Sequence, residues 1–163
     1  MTGLIATFGG VGYLRPAPGT WGSLAALLLA LPVLMVAGPW GLVVATVLVG
    51  VLGLWAAGVE IAGAADPDPG HIVIDEVVGQ WIALWPIAFG AASAGASVIT
   101  LWPGWLAAFV LFRLFDIWKP GPVGWADRQG GAAGLMGDDV IAGVMAAIGV
   151  TLLAGLYHAV LAG

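Results

Sequence analysis

Apolar residues fill this chain in long blocks, and the charged residues that interrupt the blocks come in groups. Between residues 16 and 59 no side chain is ionised. A membrane-crossing helix needs roughly 20 apolar residues. The block therefore predicts two spans, residues 21–37 and 41–59, joined at Gly38-Pro39-Trp40, with Pro32 placed to kink the first. A polar stretch follows, EIAGAADPDPGHIVIDE, carrying Glu60, Asp66, Asp68, Asp75 and Glu76. Its DPDPG piece has turn chemistry: Pro fixes φ and Asp bonds its own backbone.

A second charge-free block covers residues 77–112. Its middle, GAASAGAS (residues 90–97), reads as a hairpin between helices. The two halves are long enough to cross only if the third helix begins near Ile72 and the fourth continues to about Trp118. That placement puts Asp75 and Glu76 in the first turn of one helix, and Arg113 and Asp116 in the last turns of the next. A polar loop over residues 119–139 then leads to a last apolar block, residues 140–163, opened by Asp138 and Asp139. The expectation is an all-α, polytopic membrane bundle of about five helices, forming one domain over residues 1–163.

Composition strengthens this picture. Hydrophobic residues make up 61% of the 163 and charged residues 8%, about a third of the usual charged share. So few charges could not clothe a water-soluble domain. There is no cysteine, so disulfides and thiolate metal sites are excluded. The net charge of −5 disfavours nucleic acid, which is held through its phosphates. The start of the chain is a poor signal peptide: nothing before Arg15 is basic, and Pro39 follows the nearest small residues, so the first block reads as a retained span.

Five crossings put every charge on one side. Arg15, Arg113, Lys119 and Arg128 all fall there, which by the positive-inside rule makes it the cytoplasmic side, with the C-terminus outside. His71 and His158 fall on opposite sides and cannot share a metal. The nine Trp gather mostly near span ends, where amphipathic rings anchor.

The acids are the candidate chemistry. Asp138-Asp139 and Asp75-Glu76 could each be helix caps, since acids suit an N-terminus. Arg113, Asp116 and Lys119 recur at a spacing of three, one stripe of a helix, and could simply be an interfacial ion pair. Together they are harder to dismiss. Asp75, Glu76, Asp116, Asp138 and Asp139 would converge with few cations near, and would repel one another unless a metal sat between them. Carboxylates without His or Cys suit a hard ion, Mg²⁺ before Zn²⁺. Arg113 and Lys119 would then hold phosphate oxygens. Acids, a hard metal and two cations at a membrane surface suggest phosphoryl chemistry on a lipid. The Gly-rich TFGGVGYLRPAPGTWGS stretch matches no phosphate-loop pattern, and reads as an interfacial loop capped by Thr20 or Ser23. A small transporter or ion channel is the alternative, with the acids as a cation or proton relay. That reading expects acids spread through the depth of the bilayer.

Four segments in order, APGTWGS, DPGHIVIDEVVGQW, FRLFDIWKPGPV and GDDVIAG, resemble the signature segments of the phosphatidylglycerophosphatase A family. The resemblance runs from about Phe8 to Gly143. It implies a Mg²⁺-dependent lipid phosphatase of the bacterial inner membrane, with its active site on the cytoplasmic side. Such enzymes convert phosphatidylglycerophosphate to phosphatidylglycerol and inorganic phosphate. On the resemblance, Asp75, Glu76, Asp116 and Asp139 are catalytic. Asp75, Glu76, Asp138 and Asp139 hold the metal, and Arg113, Lys119, Thr20 and Ser23 bind substrate. One departure is Gly121, where a Trp often follows the Lys-Pro in the family. Direct attack by water is expected, because Asp66-Pro67-Asp68 has the spacing of a phospho-aspartate motif but sits in a turn rather than after a strand.

Overall fold

In the computed structural model, residues 1–64 and 69–161 are described; the Asp66-Pro67-Asp68 turn lies outside them. The described chain is helical throughout. Its elements are α1 (Thr2–Ala6), α2 (Pro18–Gly63), α3 (Ile74–Ala94), α4 (Trp102–Trp118), α5 (Pro122–Asp127) and α6 (Gly131–Leu161), with 3₁₀ turns at Val11–Tyr13 and Val98–Leu101.

Helix α2 has 46 residues. Unbroken, it would measure about 70 Å, more than twice the hydrocarbon thickness. It breaks at Gly38, whose φ of 66° and ψ of −167° are not helical. Glycine reaches this region at no steric cost. The break falls at the expected Gly38-Pro39-Trp40 junction, and Pro32 lies inside a first arm (residues 18–37) that stays helical through it.

The second arm (residues 39–63) folds back, and the packing against α3 shows it. On the first arm, Gly22 meets Val73, and Trp81 donates its indole N–H to Ala26 O at 2.8 Å. On the second arm, Gly53 meets Ile74, Gly50 meets Val78, and Trp85 donates to Thr46 Oγ1 at 3.4 Å. Going along α3, the first-arm partners rise in number and the second-arm partners fall. One arm is therefore parallel to α3 and the other antiparallel.

Four helices are long and apolar enough to cross a membrane. With α2 folded at Gly38 they provide five crossing segments. Helix α4 runs antiparallel to α3, with Gly104 beside Ile87 and Phe112 beside Gly79. The third helix begins at Ile74, two residues later than expected, and continues to Ala94. The turn after it is made by Gly95, at φ 61°, and by Ser97, whose hydroxyl accepts from Ile99 N. The hairpin is thus shifted towards α4 from the expected 90–97.

This alternation places every described Asp, Glu, Lys and Arg towards one end of the bundle. The N-terminal segment is clipped to that end. Val73 N donates to Ala6 O at 2.9 Å, and Thr2 Oγ1 donates to Glu60 at 2.6 Å. Tyr13 stacks on His71 at 5.5 Å. A side chain at Gly12 would strike His71 O, so the Gly-rich loop packs on the approach to α3.

Candidate metal centre

The site exists because two helices touch backbone to backbone. A Cβ on Gly143 of α6 would lie 2.4 Å from Gly79 O of α3, and one on Gly79 would lie 2.6 Å from Asp139 O. Small residues permit such approach between membrane helices. The contact sits one helical turn from Asp75 and Glu76 on α3, and immediately beside Asp139 on α6.

The carboxylates meet there in two groups. Asp75, Glu76 and Asp139 offer oxygens within 4.8 Å of one another, and so do Asp116, Asp138 and Asp139. Asp139 is common to both. Asp75, Asp138 and Asp139 are each less than 5% exposed. Asp138 has Lys119 as a hydrogen-bonded counter-charge, whereas the burial of Asp75 and Asp139 without one is costly.

Two sequence expectations need correction here. Asp138 and Asp139 do not open the last helix. Helix α6 begins at Gly131, so both acids lie about two turns inside it, where they cannot cap. The glycines that read as loop are packing positions; a Cβ on Gly134 would lie 3.1 Å from Ala126 O of α5. Nor does Lys119 continue a helical stripe with Arg113 and Asp116. It terminates α4 in the left-handed region, at φ 49° and ψ 52°. The chain turns there and sends the ammonium across to Asp138 Oδ2 at 2.7 Å and to Asp127. Burial alone would lower the pKa of Lys119; its bonds to Asp127 and Asp138 outweigh this and raise it, so its positive charge is secure. Gly121 follows at φ 47°, a backbone setting that disfavours any residue with a bulky side chain.

Arg113 spans the other edge. Its Nη1 lies 2.6 Å from Asp116 Oδ2 and 3.9 Å from Glu76 Oε1. The same nitrogen is 3.5 Å from Ser23 Oγ, which donates to Gly19 O at 2.9 Å. Gly19 has no room for a side chain, since a Cβ would sit 2.1 Å from Glu76 Oε1. The start of α2 is therefore a wall of the site, reached through Gly19 and Ser23. Thr20, expected beside them, is half-buried on the same turn.

The cap reading is weak for the α3 pair as well. They stand in the first turn, but the N-cap, Val73, makes no side-chain bond. Asp75 accepts from the neighbouring Glu76 N at 3.0 Å, which accounts for one carboxylate oxygen and not for the cluster. Among the described residues, buried Glu76 Oε2 and Asp139 Oδ1 have no hydrogen-bond partner. Orphaned carboxylate oxygens in an all-oxygen donor set are what a hard divalent cation requires. The residues fit Mg²⁺.

Three features escape a reading of sequence alone: the Gly79–Gly143 contact, Asp127 as the second partner of Lys119, and Gln80. Gln80 is completely buried, and neither of its amide atoms has a partner among the described residues. Its signal was a lone amide inside the apolar run VVGQW.

Comparison with known proteins identifies the family. The family model described as phosphatidylglycerophosphatase A matches residues 4–154. A phosphatidylglycerophosphatase A of Haemophilus influenzae is 40% identical over 146 residues, 89% of this chain and 83% of its own length. One of Escherichia coli K12 is 36% identical over 146 residues, covering 88% of this chain and 78% of its own. No solved structure matches. Matched over most of its length by the model and by both relatives, the chain belongs to the phosphatidylglycerophosphatase A family.

Proposed function

We propose that this protein is a Mg²⁺-dependent phosphatase that hydrolyses phosphatidylglycerophosphate to phosphatidylglycerol and inorganic phosphate. It would act at the cytoplasmic face of a bacterial inner membrane. The observation that carries the reading is the meeting of five carboxylates in two groups that share Asp139, with Arg113 and Lys119 at their edges. The acids gather at one end of the bundle. A transport relay would need them in file through its depth.

Asp75, Glu76 and Asp139 would hold one Mg²⁺, and Asp116, Asp138 and Asp139 are a second such set. When bound, the ion supplies charge neutralisation, Lewis-acid polarisation of a phosphoryl oxygen and a more acidic water. The chain's own residues do the rest. Arg113 has an Nε–H without a partner among the described residues to donate to a phosphate oxygen, while its Nη1 donates to Asp116 and Ser23. Lys119 contributes a point charge on the opposite side. Gly19 and Ser23 close the wall behind Glu76. The acyl chains remain in the bilayer, so the bundle has to receive only the head group. In hydrolysis, water oxygen bonds to phosphorus, the ester P–O bond breaks, and the released glycerol oxygen gains a proton. The carboxylate cluster is placed to accept the proton that the water gives up. Four cations, Arg15, Arg113, Lys119 and Arg128, all towards the polar end, support its cytoplasmic orientation.

The test is phosphate release from phosphatidylglycerophosphate by purified protein in detergent, with Mg²⁺ and with chelator, beside Asp75→Asn. Release should need both the ion and Asp75, with the variant folded. Release from a phosphoinositide monophosphate but not from phosphatidylglycerophosphate would move the substrate. Release from neither by folded protein would overturn the reading.

A further inference from the structure

Gln80 is a fully buried amide whose Nε2 and Oε1 both lack a partner among the described residues. An unsatisfied buried polar group costs stability, and an apolar residue of the same shape would avoid that cost. Its placement gives it a use. Along α3 and its N-cap, Val73 and Trp81 face the first arm of α2, Ile87 faces α4, and Gly79 lies where α4 and α6 both approach. By helical position Gln80 falls between the first two of these sets, on the seam where the first arm and α4 meet α3. Glu76 stands on that seam one turn earlier, against Gly19 and Arg113. Side chains on a helix lean towards its N-terminus, so Gln80 leans towards Glu76.

Two other atoms of this seam are also buried and unpartnered: Glu76 Oε2 and Arg113 Nε. With Glu76 Oε2 given to the cation and Arg113 Nε–H to the phosphate, the Gln80 amide itself still offers both a donor, Nε2–H, and an acceptor, Oε1. A phosphate dianion could use only the donor, and a cation only the acceptor. A hydroxyl oxygen uses both, since it donates one hydrogen bond and accepts others.

We propose that Gln80 is a further binding residue of the site, and that its amide holds a hydroxyl oxygen beside the phosphate. That oxygen belongs either to the attacking water or to the free hydroxyl of the substrate's glycerol. The inference rests on the phosphatase reading and adds to it a polar subsite one turn deeper than the acids. It also separates function from packing: the amide should be retained at the expense of stability.

The experiment replaces Gln80 by Leu, and in parallel by the unbranched Met. Activity is measured on phosphatidylglycerophosphate and on its analogue lacking the glycerol hydroxyl. Thermal stability is followed with and without Mg²⁺. The expected result is a loss of at least about tenfold in kcat/KM, a melting temperature unchanged or higher, and an intact Mg²⁺-induced shift. A loss in kcat on both substrates assigns the water. A loss confined to the hydroxyl-bearing substrate assigns the glycerol. Wild-type activity in the variants would overturn the proposal, as would failure of both variants to fold, which would make the amide structural. An inactive wild type would instead overturn the phosphatase reading beneath it.

Discussion

Helix α3 and the far half of α6 are both apolar helices of one bundle, yet they live in different solvents. From Ile74 to Leu84 every α3 residue except the half-buried Glu76 is buried, Asp75 and Gln80 included. From Thr151 to Val160 every α6 side chain is exposed, and Leu152, Leu153, Leu156, Tyr157 and Val160 are among them. Apolarity in α3 is a packing demand; in α6 it is a lipid-facing demand. Packing is sensitive to shape, since an added or lost methylene is felt. Lipid contact is sensitive mainly to polarity. Chemistry in this protein is confined to the region where shape matters.

The sharpest test of that contrast is Asp139→Asn, because Asp139 belongs to both carboxylate groups. It should lower phosphate release by about 10³-fold and abolish Mg²⁺-induced thermal stabilisation. The melting temperature without metal should hold or rise, since one repelling charge is gone. Loss of folding instead would mean the cluster is structural.

Next is Gly143→Ala, which adds one methyl group 2.4 Å from the Gly79 carbonyl oxygen. The helices must part, so we expect a stability loss of about 1–3 kcal/mol and a higher Mg²⁺ requirement. An unchanged Mg²⁺ titration would show that the helix contact does not set the site's geometry.

Lys119→Met should raise KM about tenfold, the value of one charge-assisted bond. Asp127→Asn should change it less than about fivefold, because the Lys119–Asp127 pair is largely open to solvent. Equal effects in the two variants would make Asp127 a full partner of the site. At the bottom of the scale, Leu156→Ala should leave activity unchanged and stability within about 0.5 kcal/mol. A larger effect in a thermal melt would reveal a partner surface on the distal half of α6.

The same contrast explains what could be read from the sequence. The five crossing segments were visible because lipid-facing helices have no charge to interrupt them, and the turn at Gly38-Pro39 was visible through its chemistry. The acids and Arg113 stood out against an apolar background, and the Arg113–Asp116 pair followed from their spacing. Shape left weaker traces. Asp138 and Asp139 read as a helix start because the preceding GGAAG resembles loop, whereas those small residues make room for α5. The Lys119 turn depends on a backbone conformation that lysine seldom adopts. Gly79 and Gly143 lie far apart in the chain, and nothing in either neighbourhood names the other. Gln80 was visible as a residue but not as a member of the site, since its face depends on which helices flank α3.

The fold at Gly38 also bears on how such a chain enters a bilayer. Its two arms form a helical hairpin whose connection carries no charged group. The turn between α3 and α4 is likewise uncharged, and so are the described residues at the far end of α6. Carrying a charged side chain through the middle of a bilayer costs about 2.5–3.5 kcal/mol on insertion scales. Here no Asp, Glu, Lys or Arg has to make that passage. Insertion can proceed by successive hairpins from one side, and the acidic cluster is assembled where its residues first met water.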